Sequence, residues 1–220
     1  MTVSLDGPRL PPASGQPARQ LVIFLHGYGA DGNDLIGLGR EFASVLPDAA
    51  FVAPHAPEML PNSPFGGRQW FPLRTIDESE LSRGVAMAHA SLKAFIENEA
   101  TRAKLPLSRL ALVGFSQGTM MALHTGLRLP EPVAGIVGFS GHLAAADRLQ
   151  AEASAKPPVL LVHGSADEVV PAAALHIAAN ALAAAGVQVQ WQMRPGLGHG
   201  IDQEGLTAAK TFLKAAFSQS

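Results

Sequence analysis

The chain of 220 residues contains no cysteine. That removes thiol nucleophiles, thiol redox chemistry, disulfides and every zinc site built on thiolate. A covalent mechanism would have to use Ser, Thr, Lys or a carboxylate. Charge is also scarce: 16 Lys and Arg against 18 Asp and Glu leave a net charge of -2, with only 15% of residues charged. Ordinary soluble domains carry roughly 25%, and no basic field exists here to hold nucleic acid or an anionic membrane. No run of 18 apolar residues occurs, so no stable membrane insertion is expected. Met1 to Gln20 bears Pro, Gly and Ser, with no apolar run of seven or more after a basic start. It does not read as an export signal, and the expected location is the cytoplasm.

What is present suits a single domain, residues 1–220, with an irregular segment over the first twenty. At this length about 70% of the unfolded surface is buried on folding, so the core needs no covalent staple. Apolar runs at Leu21–Leu25, Ala50–Ala53, Leu110–Gly114, Val133–Phe139 and Val159–His163 are nearly continuous, the pattern of strands buried on both faces of a sheet. Val187–Met193 alternates instead and is expected toward an edge. Helical patterns lie between the strands. Asp77 with Glu80 marks a helix start, Pro171 and Gly186 bracket a second helix, and Leu206, Ala209, Leu213 and Ala216 form the last. Alternating strands and helices imply parallel pairing with helices on both faces. Pro54–Arg74 breaks the rhythm as a long loop holding Phe65, Trp70 and Phe71, and Ser140–Pro158 is too short for a cap domain.

Gly114-Phe115-Ser116-Gln117-Gly118 directly follows a buried strand and precedes a helical pattern. A serine on such a tight turn is presented at the C-terminal edge of the sheet; the structural alternative is a glycine-rich turn with an N-cap serine. A serine nucleophile needs a base, and the base an orienting acid. His199, in a loop with Gly196, Gly198 and Gly200, and Asp167, in His163-Gly164-Ser165-Ala166-Asp167, both follow strand ends. The chain order Ser, Asp, His is that of α/β-hydrolases. His163 is a rival base, Asp147 and Asp202 are rival acids, and Asp167 could instead cap the helix near Pro171. His26-Gly27-Tyr28-Gly29 can aim a backbone N–H at a developing oxyanion, with the N–H of Gln117 as second donor. His26 reads as a residue holding that turn. Asp31, Asn33 and Asp34 lack the glutamate of a calcium loop, so no metal site is expected.

These residues resemble the bacterial carboxylesterase/phospholipase family of α/β-hydrolases, related to acyl-protein thioesterases. The likeness runs from about Leu21 to the C-terminus. It rests on Phe24-Leu25-His26-Gly27-Tyr28-Gly29, Pro54-His55-Ala56-Pro57, Gln69-Trp70-Phe71, the Ser116 turn, Gly164 to Pro171 and Gly198-His199. The resemblance implies a mostly parallel central sheet with helices on both faces and no cap domain. It implies a triad of Ser116, Asp167 and His199, an oxyanion hole from the N–H groups of Tyr28 and Gln117, and no cofactor. Tyr28 departs from the leucine more usual in that family. By the same resemblance Trp70 and Phe71 border the acyl site, and an aromatic-bearing irregular loop near the site also reads as an apolar wall; the alternative is that Trp70 caps the core. The expected function is a serine carboxylesterase for short to medium acyl esters acting through an acyl-enzyme. A thioesterase or lysophospholipase with the same triad is the alternative, and a catalytically silent binding protein the reading from another class. The expected partner is a small ester or acyl-group substrate, and a homo-oligomer is left open.

Overall fold

Alternate residues of each central strand face opposite ways, and here both directions are apolar. In the computed structural model, which describes residues 2–61, 66–75 and 77–219, the strands run in chain order. They are β1 (Arg9–Leu10), β2 (Gln20–Leu25), β3 (Ala49–Val52), β4 (Glu58–Met59), β5 (Arg68–Gln69), β6 (Leu110–Phe115), β7 (Gly135–Phe139), β8 (Val159–Gly164) and β9 (Val189–Arg194). The main sheet has the order β1-β3-β2-β6-β7-β8-β9, and β4 pairs only with β5. Every neighbour pair in the main sheet is parallel except β1 with β3.

The helices are α1 (Gly32–Ile36), α2 (Leu38–Ala43), α3 (Glu78–Ala103), α4 (Gln117–Gly126), α5 (Leu149–Glu152), α6 (Ala173–Ala184) and α7 (Gln203–Ser218). On one face of β2, Leu21, Ile23 and Leu25 join Leu92 and Ile96 of α3, Met121 of α4 and Leu175 of α6. On the other, Val22 and Phe24 join Phe42 of α2 and Leu213 of α7. That two-sided burial is why the strand sequences are continuous rather than alternating. The alternating β9 is an edge strand, as its pattern requires. The Asp77 carboxylate accepts the N–H of Glu80 and starts α3; Gly186, at φ 77°, ends α6.

Three details differ from the sequence expectations. The first twenty residues are not wholly irregular, because Arg9 and Leu10 pair antiparallel with Val52 and Phe51; two residues between prolines are too few to show a period. The loop from Pro54 contains the β4–β5 hairpin, whose pairs are Glu58 with Gln69 and Met59 with Arg68; Phe65 lies outside the described residues. Helix α6 starts two residues past Pro171, with Ala172 as its N-cap. Between β7 and β8 stand only a 3-10 turn, Ala146–Arg148, and α5, so no cap domain rises over the sheet. Among the described residues no helix is long and apolar enough to cross a membrane.

His124 of α4 is buried against α3, its ring 5.6 Å from that of His89, and its Nδ1 has no hydrogen-bond partner among the described residues. Burial, and then the Arg128 charge, pushes its pKa down to about 3. Between the ordinary value near 6.5 and 3 the unfolded chain therefore binds a proton that the folded chain does not, and stability falls as pH falls. The expected loss from this one group is about 2 kcal/mol at pH 5 relative to neutral pH. Urea unfolding of His124→Leu at both pH values should show an acid loss smaller by about that amount; equal losses in variant and parent would refute it.

Candidate active site

Ser116 stands between β6 and α4 at φ 53° and ψ -118°, a conformation uncommon for any residue with a side chain. Its N–H donates to the Phe139 carbonyl at 2.9 Å. The flanking glycines are demanded by close approach. A Cβ on Gly118 would stand 1.8 Å from the Leu25 carbonyl oxygen, and one on Gly114 would stand 2.5 Å from the Gly118 backbone. The start of α4 is thereby pressed against the end of β2.

Asp167 lies past the end of β8, and its two oxygens have different partners. Oδ1 accepts the N–H groups of Val169 and Val170, each at 2.9 Å, which closes the turn toward α6. Oδ2 pairs with Nδ1 of His199 at 2.8 Å. A carboxylate only accepts, so Nδ1 carries the proton and Nε2 is left as the basic nitrogen. Burial pushes the Asp167 pKa up, but donation from His199, Val170 and Val169 outweighs it and holds the carboxyl below its ordinary value. Gly164 allows this meeting, since a Cβ there would stand 2.2 Å from the Leu197 carbonyl oxygen.

Two further residues, whose roles the sequence did not show, hold this pair. His163, 2% exposed, places Nε2 3.0 Å from the Val170 carbonyl oxygen and 3.2 Å from Asp167 Oδ2. The carbonyl can only accept, so that nitrogen bears a proton and also reaches the carboxylate; buried and engaged, His163 is not the base. Ser140, fully buried at φ 45°, donates its hydroxyl to the Gly200 carbonyl at 3.3 Å and ties down the His199 loop. Of the rival acids, Asp202 caps α7 through Gly205 and pairs with Arg194, and Asp147 sits in the Ala146–Arg148 turn.

Ser116 and His199 line one cleft of 210 Å³ with Gly27, Tyr28, Gln117 and the apolar side chains of Leu73, Phe115, Met120, Val169 and Val170. The Phe115 and His199 rings lie 4.9 Å apart. Among the described residues no acceptor takes the N–H of Tyr28 or of Gln117, and Gln117 opens α4, where the helix dipole is positive. His26 holds the turn before Tyr28: Nδ1 donates to the Gly27 carbonyl at 2.8 Å, and Nε2 accepts the Ala56 N–H at 3.0 Å. Burial pushes its pKa down to about 4, so the ring is neutral. The Asp31 side chain caps α1, and among the described residues no group of three or more His, Asp and Glu could hold a metal ion.

Trp70 and Phe71 require a correction. Both are 1% exposed and lie in the core under the site; neither lines the cleft. Trp70 Nε1–H donates to the His26 carbonyl at 2.9 Å, and its backbone N–H donates to Gln117 Oε1 at 2.9 Å. Gln117 Nε2 in turn donates to the Phe71 carbonyl at 2.8 Å. The Gln117 side chain thus staples this loop to the start of α4. The apolar cleft residues were harder to read because Met120 shares the helical period of core residues, while Val169 and Val170 stand in a turn without periodicity.

A serine on a strand-to-helix turn, with a paired histidine and aspartate beyond later strand ends of a mostly parallel sheet, is the arrangement of an α/β-hydrolase. The chain belongs to the phospholipase/carboxylesterase family, whose model matches residues 12–217, and it is a carboxylic ester hydrolase of that class. It is 32% identical over 202 residues to Esterase YpfH of Escherichia coli, covering 90% of this chain and 84% of that one. It is 29% identical over 209 residues to Acyl-protein thioesterase 1 of Gibberella zeae, covering 88% of each. Among solved structures, esterase PE8 superposes with a TM-score of 0.93 at 45% identity, covering 97% of this chain and 100% of that one. SOBER1 of Arabidopsis thaliana gives 0.77 at 27% identity, covering 90% and 99%.

If Trp70 braces the His26 turn rather than facing substrate, Trp70→Ala should cost about 3 to 5 kcal/mol in urea unfolding. Its acyl-chain preference, measured on aryl esters, should stay unchanged. A stable variant with altered chain-length preference would return Trp70 to the cleft wall.

Proposed function

We propose that Ser116, His199 and Asp167 form the catalytic triad of a serine carboxylesterase that hydrolyses esters of short to medium acyl chains. The observation that carries this reading is the 2.8 Å contact between His199 and Asp167 beside the cleft that Ser116 and His199 share. His199 Nε2 takes the Ser116 hydroxyl proton as Oγ attacks the ester carbonyl carbon. The carbonyl oxygen becomes an oxyanion, for which the N–H groups of Tyr28 and Gln117 are the donors; one such donor is typically worth about 2.7 to 4 kcal/mol. Collapse expels the alcohol, which takes the proton from His199, and leaves an acyl-enzyme. His199 then deprotonates water, the hydroxide oxygen attacks the acyl carbon, and Ser116 recovers its proton as the acid departs. Asp167 stabilises the imidazolium at each stage.

A cleft of 210 Å³ walled by Leu73, Met120, Val169 and Val170 supports a short to medium acyl chain. The open approach favours small soluble esters or exposed acyl groups over micellar triglyceride. A second reading, thioester hydrolysis on acylated protein, is favoured by the exposure of Tyr28 at 43% and Val169 at 52% on the cleft rim, which leaves room for a large carrier. The relatives named acyl-protein thioesterase support it too. The chemistry requires no cofactor, and the cytoplasm belongs to the same reading as its place of action.

Ser116→Ala should keep its circular dichroism spectrum and lose at least about 10³-fold in p-nitrophenyl butyrate hydrolysis. A fluorophosphonate probe should label Ser116 alone. Activity within about threefold of the parent, or labelling at Ser140 or Ser165, would overturn the nucleophile assignment. A chain-length series of aryl esters and acyl thioesters on one preparation separates the two substrate readings.

A further inference from the structure

Beside the cleft is a second cavity that the reaction, as written above, does not use. Asp34, Leu35, Leu38, Phe115 and Ile201 line 250 Å³, against 210 Å³ for the arm that Gln117 and Met120 line. The two arms share the Phe115 ring, which touches the His199 ring at 4.9 Å. Ser116 and His199 themselves line the first cleft, and the second recess borders it through Phe115, with Ile201, two residues past His199, in its wall. A general acid must come within hydrogen-bond reach of the oxygen it protonates. The alcohol oxygen therefore leaves close to His199, beside Phe115, the residue that the cleft and the recess share.

The chemistry of this second arm is uneven: four apolar side chains and one carboxylate. Nearby carboxylates have partners, Asp31 in Asn33 and His55, and Glu41 in Lys210. No cation pairs with Asp34 among the described residues. Partial burial, and then the Asp31 charge, pushes the Asp34 pKa up, as befits a negative charge without a counter-ion. Asp34 is an exposed residue at the rim of the recess, and its carboxylate with the Phe115 ring is complementary to an ammonium group, which gains from the charge and from the ring. A neutral alcohol would gain from the apolar walls alone, and an anionic one would be repelled.

We propose that the recess of Asp34, Leu35, Leu38, Phe115 and Ile201 is the leaving-group subsite, and that it selects esters of cationic amino alcohols, with Asp34 as the specificity-determining residue. The proposal rests on the Ser116 and His199 reading above. Its test compares choline butyrate with 3,3-dimethylbutyl butyrate, esters of one acid whose alcohols have the same shape and differ in the positive charge. The protein should favour the choline ester in kcat/KM, and Asp34→Asn should lower that preference about fivefold. Asp34→Lys should lower it further. Raising salt to about 0.5 M should erode the preference of the parent and leave that of Asp34→Asn unchanged. Because both rates come from one preparation, any unfolded fraction cancels in the ratio. A ratio unmoved by Asp34→Asn, with both esters still hydrolysed, overturns the subsite alone. Failure to hydrolyse either ester or p-nitrophenyl butyrate, with no fluorophosphonate labelling of Ser116, brings down the triad reading and the subsite with it.

Discussion

Holding Ser116 at φ 53° and ψ -118° is the constraint around which the rest of the molecule is built. Such a backbone costs on the order of 1 to 3 kcal/mol and persists only where its surroundings over-determine it. Here they do. The Ser116 N–H is taken by the Phe139 carbonyl at the end of β7, and α4 begins on the next residue. Gly118 lets that helix sit against the Leu25 carbonyl at the end of β2. Three adjacent strands at the centre of the sheet therefore fix one residue. The same contacts place Gln117, the first residue of α4, on the wall of the cleft.

The scarcity of charge follows from the same plan. Strands that feed apolar side chains to both faces leave few places for a polar group within the sheet itself, and those places collect at the strand ends of one edge. His26, Ser116 and Ser140 each stand one residue past the end of a strand, and His163 and Asp167 cluster at the end of β8. All five are buried, and hydrogen bonds hold the backbone or side chain of each. Buried polar groups of this kind are costly when unpaired. The interior polar chemistry of the sheet is thus concentrated where a ligand can use it.

This plan explains what could be read in advance. Continuous apolar runs revealed the two-sided sheet, and glycines at strand ends marked the turns where backbones approach closely, so the fold and the grouping of Ser116, Asp167 and His199 were legible. The direction of a loop side chain was not. Trp70 looks like a cleft wall in sequence because it sits among Pro and Gly near the site. Its N–H is satisfied by the His26 carbonyl, 44 residues away in sequence, a partner that no local pattern discloses. Strand β1 escaped for the opposite reason, being two residues held in place by β3 rather than by any period of their own. Ser140 and His163 had no distinguishing spacing, since each acts through a contact with a distant loop or turn.

Asp167 shows how closely the stability of the fold and the chemistry of the site are joined. One oxygen is taken by two main-chain N–H groups and the other is approached by two imidazoles, so the carboxylate has little freedom to turn. With its pKa held down, it stays an anion at neutral pH and always presents an acceptor to His199. That fixes the tautomer with the proton on Nδ1 and leaves Nε2 basic, which the proposed role of His199 requires. The turn that begins the approach to α6 and the orientation of the base thus depend on the same side chain. Asparagine could keep one capping acceptor while losing the charge, and alanine would lose both. Comparing those two replacements would separate the contribution of the cap from that of the anion, which no single substitution at this position can do.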